Sequence, residues 1–383
     1  MVWRVLMRVL IPTMFCVSLL SVIMTHFLDL TYISLHRINS RWENANQTAH
    51  HQRNHLYSRP VKSFNGRISS KAHIGEDIIN EIIASIPTFD GTIVISNEKA
   101  EKLCPFSSPL LVGWTDVSLV ASDSRKEKES TFTSRMSIAG LKPGGKYKPR
   151  NCHSRNNVAV IVPYRYRGFH LKIFLRHMHP FLQRQQLQYV VFLVEQSNGS
   201  PFNRGMLLNI GFKEAMKQGS FQCFIFHDVD LLPEDDRNPY TCPKNGKPRQ
   251  MAYSIDIYDY RPTPKEHLGG VSAFTVTDFQ LINGFSNSFW GWGSEDDDLY
   301  RRSLHHNLTV TRITDDLPSF KNIVRYRMID HRKEKSNPER DLLLDGWRYR
   351  LMSDGLTTLS YKTIYVKLTP LFTHILVDIQ QAS

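Results

Sequence analysis

The chain has 383 residues, 41% of them hydrophobic, which is enough for one large domain or two ordinary ones with a substantial core. Basic residues outnumber acidic ones, giving a formal net charge of +12. No block of lysine and arginine is dense enough to favour nucleic acid, and a positive balance fits phosphate-bearing small molecules equally well, so we expect no nucleic-acid partner.

The N-terminus is predicted to anchor the chain in a membrane. Residues 9–28 contain no Asp, Glu, Lys or Arg, and twenty helical residues span roughly 30 Å, the thickness of a bilayer core. Arg4 and Arg8 precede this segment, which predicts that the tail at residues 1–8 is cytosolic and that everything after the anchor is lumenal or extracellular. A cleaved signal peptide is the alternative, but residues 25–32 form a poor cleavage site.

A polar stem is predicted to follow at residues 29–100, before a large domain at residues 101–383. The stem is rich in His, Asn, Ser and Arg, and only residues 76–86 predict a short helix. Residues 122–131 are typical of an exposed loop. Three Asn-x-Ser/Thr triplets fit a lumenal chain. We expect N-glycosylation at Asn46 and Asn307, whereas Pro201 disfavours the triplet at Asn198.

The cysteines indicate an oxidising compartment. Cys16 lies in the predicted anchor, which leaves an even set of four in the lumenal part. Two disulfides are predicted, with three possible pairings. Because two of the cysteines bracket a short loop, we favour the pairs Cys223–Cys242 and Cys104–Cys152. A zinc site is the alternative, but no Cys-x-x-Cys or Cys/His cluster supports it.

From about residue 155 the pattern is that of an α/β domain. Residues 158–164, 189–196 and 223–233 are apolar runs typical of buried strands, and residues 170–186 and 203–219 have helical spacing. Alternating strands and helices predict right-handed crossovers and a mainly parallel sheet. Ligands bind open sheets of this kind beyond the carboxyl ends of the strands, and here all three ends carry polar residues.

The third strand ends in the sequence Asp228-Val229-Asp230. If the strand continues through it, both carboxylates point to the same side and could hold a divalent metal beside a diphosphate. A solvated strand end is the alternative. Arg165, Arg167 and Arg204 follow the strand ends and are candidates for phosphate contacts, or ordinary surface arginines.

Residues 289–298, FWGWGSEDDD, crowd four carboxylates behind a Gly-Trp turn. Ser294 is predicted to cap a helix, with Glu295, Asp296 and Asp297 in its first turn, where anions suit the positive end of the helix dipole. A cap does not account for two tryptophans among glycines, which are typical of a ligand-binding loop. Further on, Met328 and His331 are three residues apart and could face one way, although packing explains such a pair more often than ligation does.

Several ordered motifs together resemble the β-1,4-galactosyltransferase family, including its invertebrate β-1,4-N-acetylgalactosaminyltransferase branch. The similarity runs from Cys104 to the C-terminus. The motifs are CPFSSPLLVG (104–113), VPYRYRGFHL (162–171), HPFLQRQQL (179–187), FNRGMLLNIGFKEA (202–215), FHDVDLLP (226–233), GGVSAFT (269–275), FWGWGSEDDD and MIDH (328–331).

This resemblance implies a GT-A-type, Rossmann-like catalytic domain on a single-pass type II anchor in the Golgi membrane. The implied reaction transfers a sugar, with inversion and Mn²⁺, from a UDP-sugar to the 4-hydroxyl of a terminal N-acetylglucosamine. The implied metal ligands are Asp230, Met328 and His331. The implied donor-binding residues are Pro163, Arg165, Arg167, Phe202, Arg204, Asp228, Val229 and Trp292. Asp296 is implied as the catalytic base with Glu295 beside it, and Gly293, Glu295 and Asp297 as acceptor contacts.

Two departures from the family pattern bear on specificity. His267-Leu268 stands where the galactose enzymes have Tyr-Phe, and the tyrosine is associated with disfavouring an N-acetyl group on the donor. We therefore expect UDP-N-acetylgalactosamine as donor, with UDP-galactose as the alternative and a non-catalytic sugar-binding membrane protein as a remote one. Asp341 replaces a frequent Phe of the acceptor site. The acceptor is expected on a glycolipid or a glycoprotein, and any protein partner is left open.

Overall fold

The computed structural model describes residues 102–197, 199–329 and 335–381, which belong to the compact unit Ile95–Ser383. The predicted tail, anchor, stem and short helix, and with them Asn46, lie outside these residues. Among the residues described, no helix is both long and apolar enough to cross a membrane.

The domain alternates helices and strands along the chain. The helices are α1 (Val117–Lys126), α2 (Glu129–Ile138), α3 (Gly168–Arg184), α4 (Arg204–Gln218), α5 (Val276–Leu281), α6 (Glu295–His305), α7 (Ile313–Asp316), α8 (Arg340–Asp345) and α9 (Trp347–Arg350), with 3₁₀ turns at Asp256–Tyr258 and Pro318–Asn322. The strands are β1 (Lys146–Tyr147), β2 (Asn157–Tyr164), β3 (Gln188–Gln196), β4 (Cys223–His227), β5 (Leu231–Pro233), β6 (Arg249–Gln250), β7 (Ser254–Ile255), β8 (Val271–Thr275), β9 (Arg325–Met328), β10 (Lys362–Leu368) and β11 (Thr373–Asp378).

The main sheet is mixed, with strand order β10-β11-β3-β2-β4-β8-β6 and β1 paired to β3. Its centre is parallel, because β11, β3, β2 and β4 pair in one direction. Its margins are antiparallel at β10, β8, β6 and β1. The prediction of a mainly parallel sheet is therefore correct for the centre and wrong for the margins. There β10 and β11 form a hairpin, whereas β1, β6 and β8 join the sheet in antiparallel pairs through longer connections.

Two apolar layers cover the sheet, as the alternation along β2 requires. Val158, Val160 and Val162 pack in the cluster that contains Ile173 and Phe174 of α3. Ala159 and Ile161 pack in the cluster that contains Leu207 and Leu208 of α4. Helix α4 lies so close to the sheet that a Cβ on Gly211 would stand 2.2 Å from Cγ2 of Ile161. The strands and helices predicted between residues 158 and 219 are confirmed with small shifts of their ends.

The exposed loop predicted at residues 122–131 is wrong. This stretch lies in the consecutive helices α1 and α2. Asp116 caps α1 by accepting a hydrogen bond from the Ser118 N–H at 2.8 Å, and Phe132 of α2 is fully buried. The charged residues that suggested a loop form the solvent-facing side of these helices.

The single strand predicted at residues 223–233 is also wrong. It is interrupted by a turn at residues 228–230, so that β4 belongs to the main sheet and β5 to a second sheet of order β5-β9-β7. The Asp228 N–H donates to the Gly270 carbonyl at 2.9 Å, and the Leu231 N–H donates to the Asp228 carbonyl at 3.4 Å. The strand alternation predicted for the two aspartates therefore does not apply.

Both predicted disulfides are confirmed. Cys104–Cys152 ties the start of the described chain to the approach to β2, and Cys223–Cys242 ties the start of β4 to the loop before β6. Since Leu103 also forms a β-bridge with His153, the first disulfide closes a segment that is already paired.

Candidate active site

The carboxyl end of β4 brings an acidic turn against a half-buried arginine. Arg204 Nε of α4 lies 2.7 Å from Asp228 Oδ1, and Arg204 Nη1 lies 3.3 Å from Glu295 Oε1 of α6. Arg204 thus joins the strand end to the first turn of α6, and it compensates two carboxylates that burial would otherwise disfavour. Burial raises the pKa of Asp228, and the Arg204 charge opposes this rise.

Asp230 is directed to a different arginine. Its Oδ2 lies 3.7 Å from Arg167 Nη1, beyond the end of β2. The two carboxylates of the Asp-Val-Asp turn therefore face different cations, and Val229 between them is buried in the core. This arrangement assigns Asp228 to the Arg204 side of the turn and Asp230 to the Arg167 side.

Two other residues predicted at the strand ends stack on each other. The Arg165 guanidinium lies 5.3 Å from the centre of the Phe202 ring and donates from Nη1 to the Ser200 carbonyl at 2.5 Å. Pro163 is buried as the last but one residue of β2. The strand ends and the N-terminus of α4 thus share one polar edge, as predicted.

Helix α6 begins at Glu295, as the acidic run predicts, but its cap differs from the prediction. Ser294 occupies the N-cap position with a φ of 72°, and its side chain makes no capping hydrogen bond. The Asp297 N–H instead donates to Asp296 Oδ1 at 3.0 Å, and the Asp298 N–H donates to the Ser294 carbonyl at 3.0 Å. The helix start fixes the Asp296 carboxylate by a backbone hydrogen bond rather than by a serine cap.

His267 and Asp296 form a close pair, with His267 Nδ1 2.9 Å from Asp296 Oδ2. A Cβ on Gly269 would stand 2.3 Å from that same Oδ2, so the absence of a side chain there allows the approach. With Asp297, His267 and Asp296 form a group of three residues whose potential metal-binding atoms all lie within 4.8 Å of one another. This group could hold a metal ion, but His267 Nδ1 already makes a hydrogen bond to Asp296 Oδ2, so no ion is needed to explain why these side chains lie together.

The first two acidic residues of α6, Glu295 and Asp296, have pKa values shifted in opposite directions. Burial, followed by the charge of Asp296, raises the pKa of Glu295 to about 7, although Arg204 opposes the rise. Burial also acts to raise the pKa of Asp296, but the hydrogen bond and charge of His267, with Arg204, lower it overall. Neighbouring carboxyls with divergent pKa values are typical of sites that handle protons.

Two of the three predicted metal ligands lie side by side. Met328 ends β9 and stands opposite Leu231 in the pairing of β5 with β9, one residue beyond Asp230. The Ile329 N–H donates to the Asp230 carbonyl at 2.7 Å and holds the end of β9 against the acidic turn. His331 lies outside the described residues. A carboxylate and an imidazole suit Mn²⁺, whereas a thioether is an unusual ligand for it.

The tryptophan turn, residues 290–293, carries one buried and one exposed indole ring. Trp290 is buried in the α4 cluster, whereas Trp292 is 48% exposed. The Trp292 N–H donates to the Lys335 carbonyl and the Asn337 N–H donates to the Trp292 carbonyl, each at 3.0 Å. A side chain on Gly291 would clash with the Lys335 carbonyl at 2.8 Å, which explains that glycine. The segment that follows Met328 and His331 therefore pairs with the turn that carries Trp292.

Gly293 also has a conformation that favours glycine, with a φ of 116°, and a Cβ there would stand 3.1 Å from Arg340 Cδ. Asp341, which follows Arg340 on α8, has an 82% exposed side chain. The sequence reasoning missed Arg340, whose guanidinium lies 5.9 Å from the centre of the Trp292 ring. It also missed the contact of His267 with Asp296, because nothing local connects residues 29 apart.

Comparison with known proteins gives consistent results. The chain matches two family models, the N-terminal region of glycosyl transferase group 7 over residues 104–243 and the N-terminal domain of galactosyltransferase over residues 249–332. It is 40% identical to mouse β-1,4-galactosyltransferase 1 over 287 residues, which cover 72% of this chain and 66% of that protein. It is 39% identical to human β-1,4-galactosyltransferase 3 over 279 residues, covering 72% and 68%.

Among solved structures, a mutant of Drosophila β-1,4-galactosyltransferase 7 in complex with manganese, UDP-Gal and xylobiose is 28% identical, with a TM-score of 0.49. The match covers 58% of this chain and 93% of that one. Human β-1,4-galactosyltransferase 6 is 44% identical over 259 residues, and the match spans 65% of its length. Since two family models match in order and the identity near 40% extends over two thirds of such relatives, this chain belongs to the β-1,4-galactosyltransferase family of glycosyltransferases.

Proposed function

We propose that this protein is a Mn²⁺-dependent, inverting glycosyltransferase that moves N-acetylgalactosamine from UDP-N-acetylgalactosamine to the 4-hydroxyl of a terminal N-acetylglucosamine. One observation carries the proposal. Arg204 joins the acidic first turn of α6 to the acidic turn after β4, so that proton-accepting carboxylates stand beside a strand end suited to a nucleotide diphosphate.

In this reaction the acceptor oxygen forms a bond to the anomeric carbon of the donor, and the bond from that carbon to UDP breaks. The bonding electrons leave with UDP, and the proton of the acceptor hydroxyl passes to Asp296. A general base serves such a step when it lies opposite the leaving group. Glu295 and Asp297 flank the base and are suited to holding sugar hydroxyls through charge-assisted hydrogen bonds.

The residues near Asp230 fit a divalent cation. Asp230 is buried, and the hydrogen bond from the Ile329 N–H to the Asp230 carbonyl holds Met328, at the end of β9, beside the turn that carries Asp230. We assign Asp230, Met328 and His331 as the ligands. Bound Mn²⁺ would neutralise charge that develops on the diphosphate of the leaving group. Arg165, Arg167 and Arg204 would contact the donor together with Pro163, Phe202, Asp228 and Val229.

The Trp292 turn would cover the donor and exclude water, which otherwise hydrolyses it. The backbone pairing with residues 335–337 supports this role, because any movement of the turn would carry the segment beyond the metal ligands with it. Gly293 would give the acceptor room at the edge of that turn.

Two donors compete for this site. The absence of a tyrosine at position 267 favours N-acetylgalactosamine, since a histidine there brings a smaller ring and no phenolic hydroxyl. UDP-galactose is the second candidate, because the relatives at about 40% identity are named galactosyltransferases. The acceptor would be a lumenal glycan on a lipid or a protein, with the chain held as a type II protein of the Golgi membrane.

The test is a transfer assay with full-length protein in detergent. The protein is incubated with Mn²⁺, an N-acetylglucosaminide, and either UDP-N-acetylgalactosamine or UDP-galactose. We expect faster transfer from UDP-N-acetylgalactosamine, complete loss of transfer in excess EDTA, and recovery when Mn²⁺ is restored. Faster transfer from UDP-galactose would move the donor assignment to the second candidate, and full activity in EDTA would remove the metal assignment.

A further inference from the structure

His267 stands at the point where this chain departs from its family pattern, and the structure connects it to chemistry rather than to the donor alone. Its Nδ1 lies 2.9 Å from Asp296 Oδ2, and its side chain remains 35% exposed. Asp296 Oδ1 accepts the Asp297 backbone N–H at 3.0 Å. Both oxygens of this carboxylate are therefore fixed, one by the helix start and one by the imidazole.

We propose that His267 is a positioning residue for Asp296: as neutral imidazole it holds the carboxylate ready to accept the acceptor proton, and as imidazolium it suppresses that role. The inference rests on the proposed function, since it concerns the base of that reaction. The neutral ring donates Nδ1–H to Oδ2, which leaves a lone pair on Oδ1 for the incoming proton.

The two charge states differ because an adjacent cation stabilises an ionised carboxylate. When His267 is protonated, its charge makes Asp296 less basic, and a less basic general base is slower. When His267 is neutral, the hydrogen bond persists without the full charge. Transfer should consequently fall as the pH drops through the pKa of His267, with Asp296 still in place.

The groups around His267 set where this happens. Burial lowers the pKa of the imidazole, but the hydrogen bond and charge of Asp296 and the charge of Asp297 raise it more, while Arg204 lowers it, and the net direction is upward. Glu266 adds negative charge beside Asp297. The fall in kcat at low pH (the acid limb of the pH profile) that we assign to His267 should thus have its midpoint above the usual histidine pKa of about 6.5.

Glu295 is the competing explanation for an acid limb, because burial raises its pKa to about 7. The experiment separates the two groups with three variants of the full-length protein. His267→Asn keeps an N–H donor near the position of Nδ1 but does not titrate. His267→Leu removes both the donor and the titration. Glu295→Gln removes the titration and charge of Glu295 but keeps an amide oxygen that can accept from Arg204.

The measurement is kcat against pH, with saturating donor, acceptor and Mn²⁺. We expect the wild type to lose kcat as the pH falls, His267→Asn to lose this limb while remaining active, and Glu295→Gln to keep it. His267→Leu should lower kcat at all pH values, by up to about 100-fold, as misplacement of a reacting group does. A limb that persists in His267→Asn and disappears in Glu295→Gln would overturn the proposal, as would full kcat in His267→Leu above the wild-type midpoint.

A second readout does not depend on transfer. Hydrogen–deuterium exchange at Cε1 of the His267 ring, followed by mass spectrometry against pH, reports the titration of that ring directly. Replacing Asp296 with Asn should move the midpoint down, because the negative partner is lost. An unchanged midpoint would show that the pair does not form, whether or not the proposed transfer activity is correct.

Discussion

Asp296 and Asp298 stand two residues apart in the first turn of α6, and both are buried, but their partners differ in kind. Asp296 pairs with His267, a side chain that can change its charge state, and it follows Glu295 at the start of α6. Asp298 pairs with Arg302 one turn later and lies 3.6 Å from Arg350 of α9. Arg302 is itself fully buried and donates to the Asp354 carbonyl at 2.7 Å.

This difference explains how four consecutive acids can be retained at one site. Residues two apart on a helix lie on nearly opposite sides, so Asp296 faces the titratable His267 whereas Asp298 faces the permanent charges of Arg302 and Arg350. We therefore assign the chemistry of the run to Asp296 with Glu295, and the attachment of α6 to the C-terminal helices to Asp298.

The largest expected effect is that of Asp296→Asn, which removes the proposed base while keeping the shape of the side chain. We expect kcat to fall by roughly 10²–10⁴, the usual contribution of general acid–base catalysis, with donor binding and thermal stability largely unchanged. Steady-state kinetics with a parallel melting curve is the measurement. Near-normal turnover would transfer the role to another acid of the run.

Asp298→Ala should have the opposite profile. It removes the nearest carboxylate of the buried Arg302 and leaves only Asp354 Oδ2, 3.8 Å from Arg302 Nη2. The loss should cost up to about 3–5 kcal/mol of unfolding free energy, while each molecule that remains folded keeps its kcat. Chemical denaturation measures the loss. Asp341→Ala is the matched control, because that side chain is exposed and its removal should change stability by less than about 0.5 kcal/mol. Equal losses of unfolding free energy for both variants would show that Asp298 does not attach α6 to the C-terminal helices.

A smaller effect is expected of His267→Tyr on the choice of donor. The larger ring and hydroxyl should disfavour the N-acetyl group, shifting the preference toward UDP-galactose by roughly 10–200-fold, as single steric or hydrogen-bond changes do. The measurement is the ratio of kcat/KM for the two donors, in which any effect on Asp296 common to both donors cancels. An unchanged ratio would leave Leu268 or the Trp292 turn as the determinant.

The smallest effect concerns Glu295 and the pH dependence of stability. Burial and the charge of Asp296 raise its pKa from 4.5 to about 7, so the folded state binds this proton more tightly than the unfolded state. The corresponding stabilisation is complete below the unfolded value and is lost as the pH rises through about 7. The Glu295→Gln variant has no carboxyl group at this position, so its stability does not have this pH dependence. The melting temperature of this variant relative to wild type should therefore increase between about pH 5 and pH 8. A difference that stays constant with pH would show that Glu295 is not perturbed.

Local patterns predicted the centre of the domain well. Strands β2 and β3 are uninterrupted apolar runs, and α4 has an Asn203 cap and ends before Gly219, so each follows from a few adjacent residues. Helices α1 and α2 were missed because their solvent-facing sides are rich in charged residues. The division of residues 223–233 was missed because an apolar run does not show which sheet each part joins.

The site was predictable only as far as its motifs. The acidic run, the strand-end arginines and the tryptophan turn are visible in the sequence, and the structure brings Arg204, Asp228 and Glu295 together. The pairings of His267 with Asp296 and of Asp298 with Arg350 join segments far apart in the chain, so only the fold reveals them. The Asp298–Arg302 pair had a readable signal, since residues four apart share a helix face.

The most direct test of this account is the structure of the product. Wild-type protein is incubated with an α-linked UDP-sugar, Mn²⁺ and an N-acetylglucosaminide, and the disaccharide is examined by NMR. A base opposite the leaving group requires inversion, so we predict a β-linkage to the 4-hydroxyl. An α-linked product, or release of UDP without any disaccharide, would contradict the assignment of Asp296 as the base of an inverting transfer.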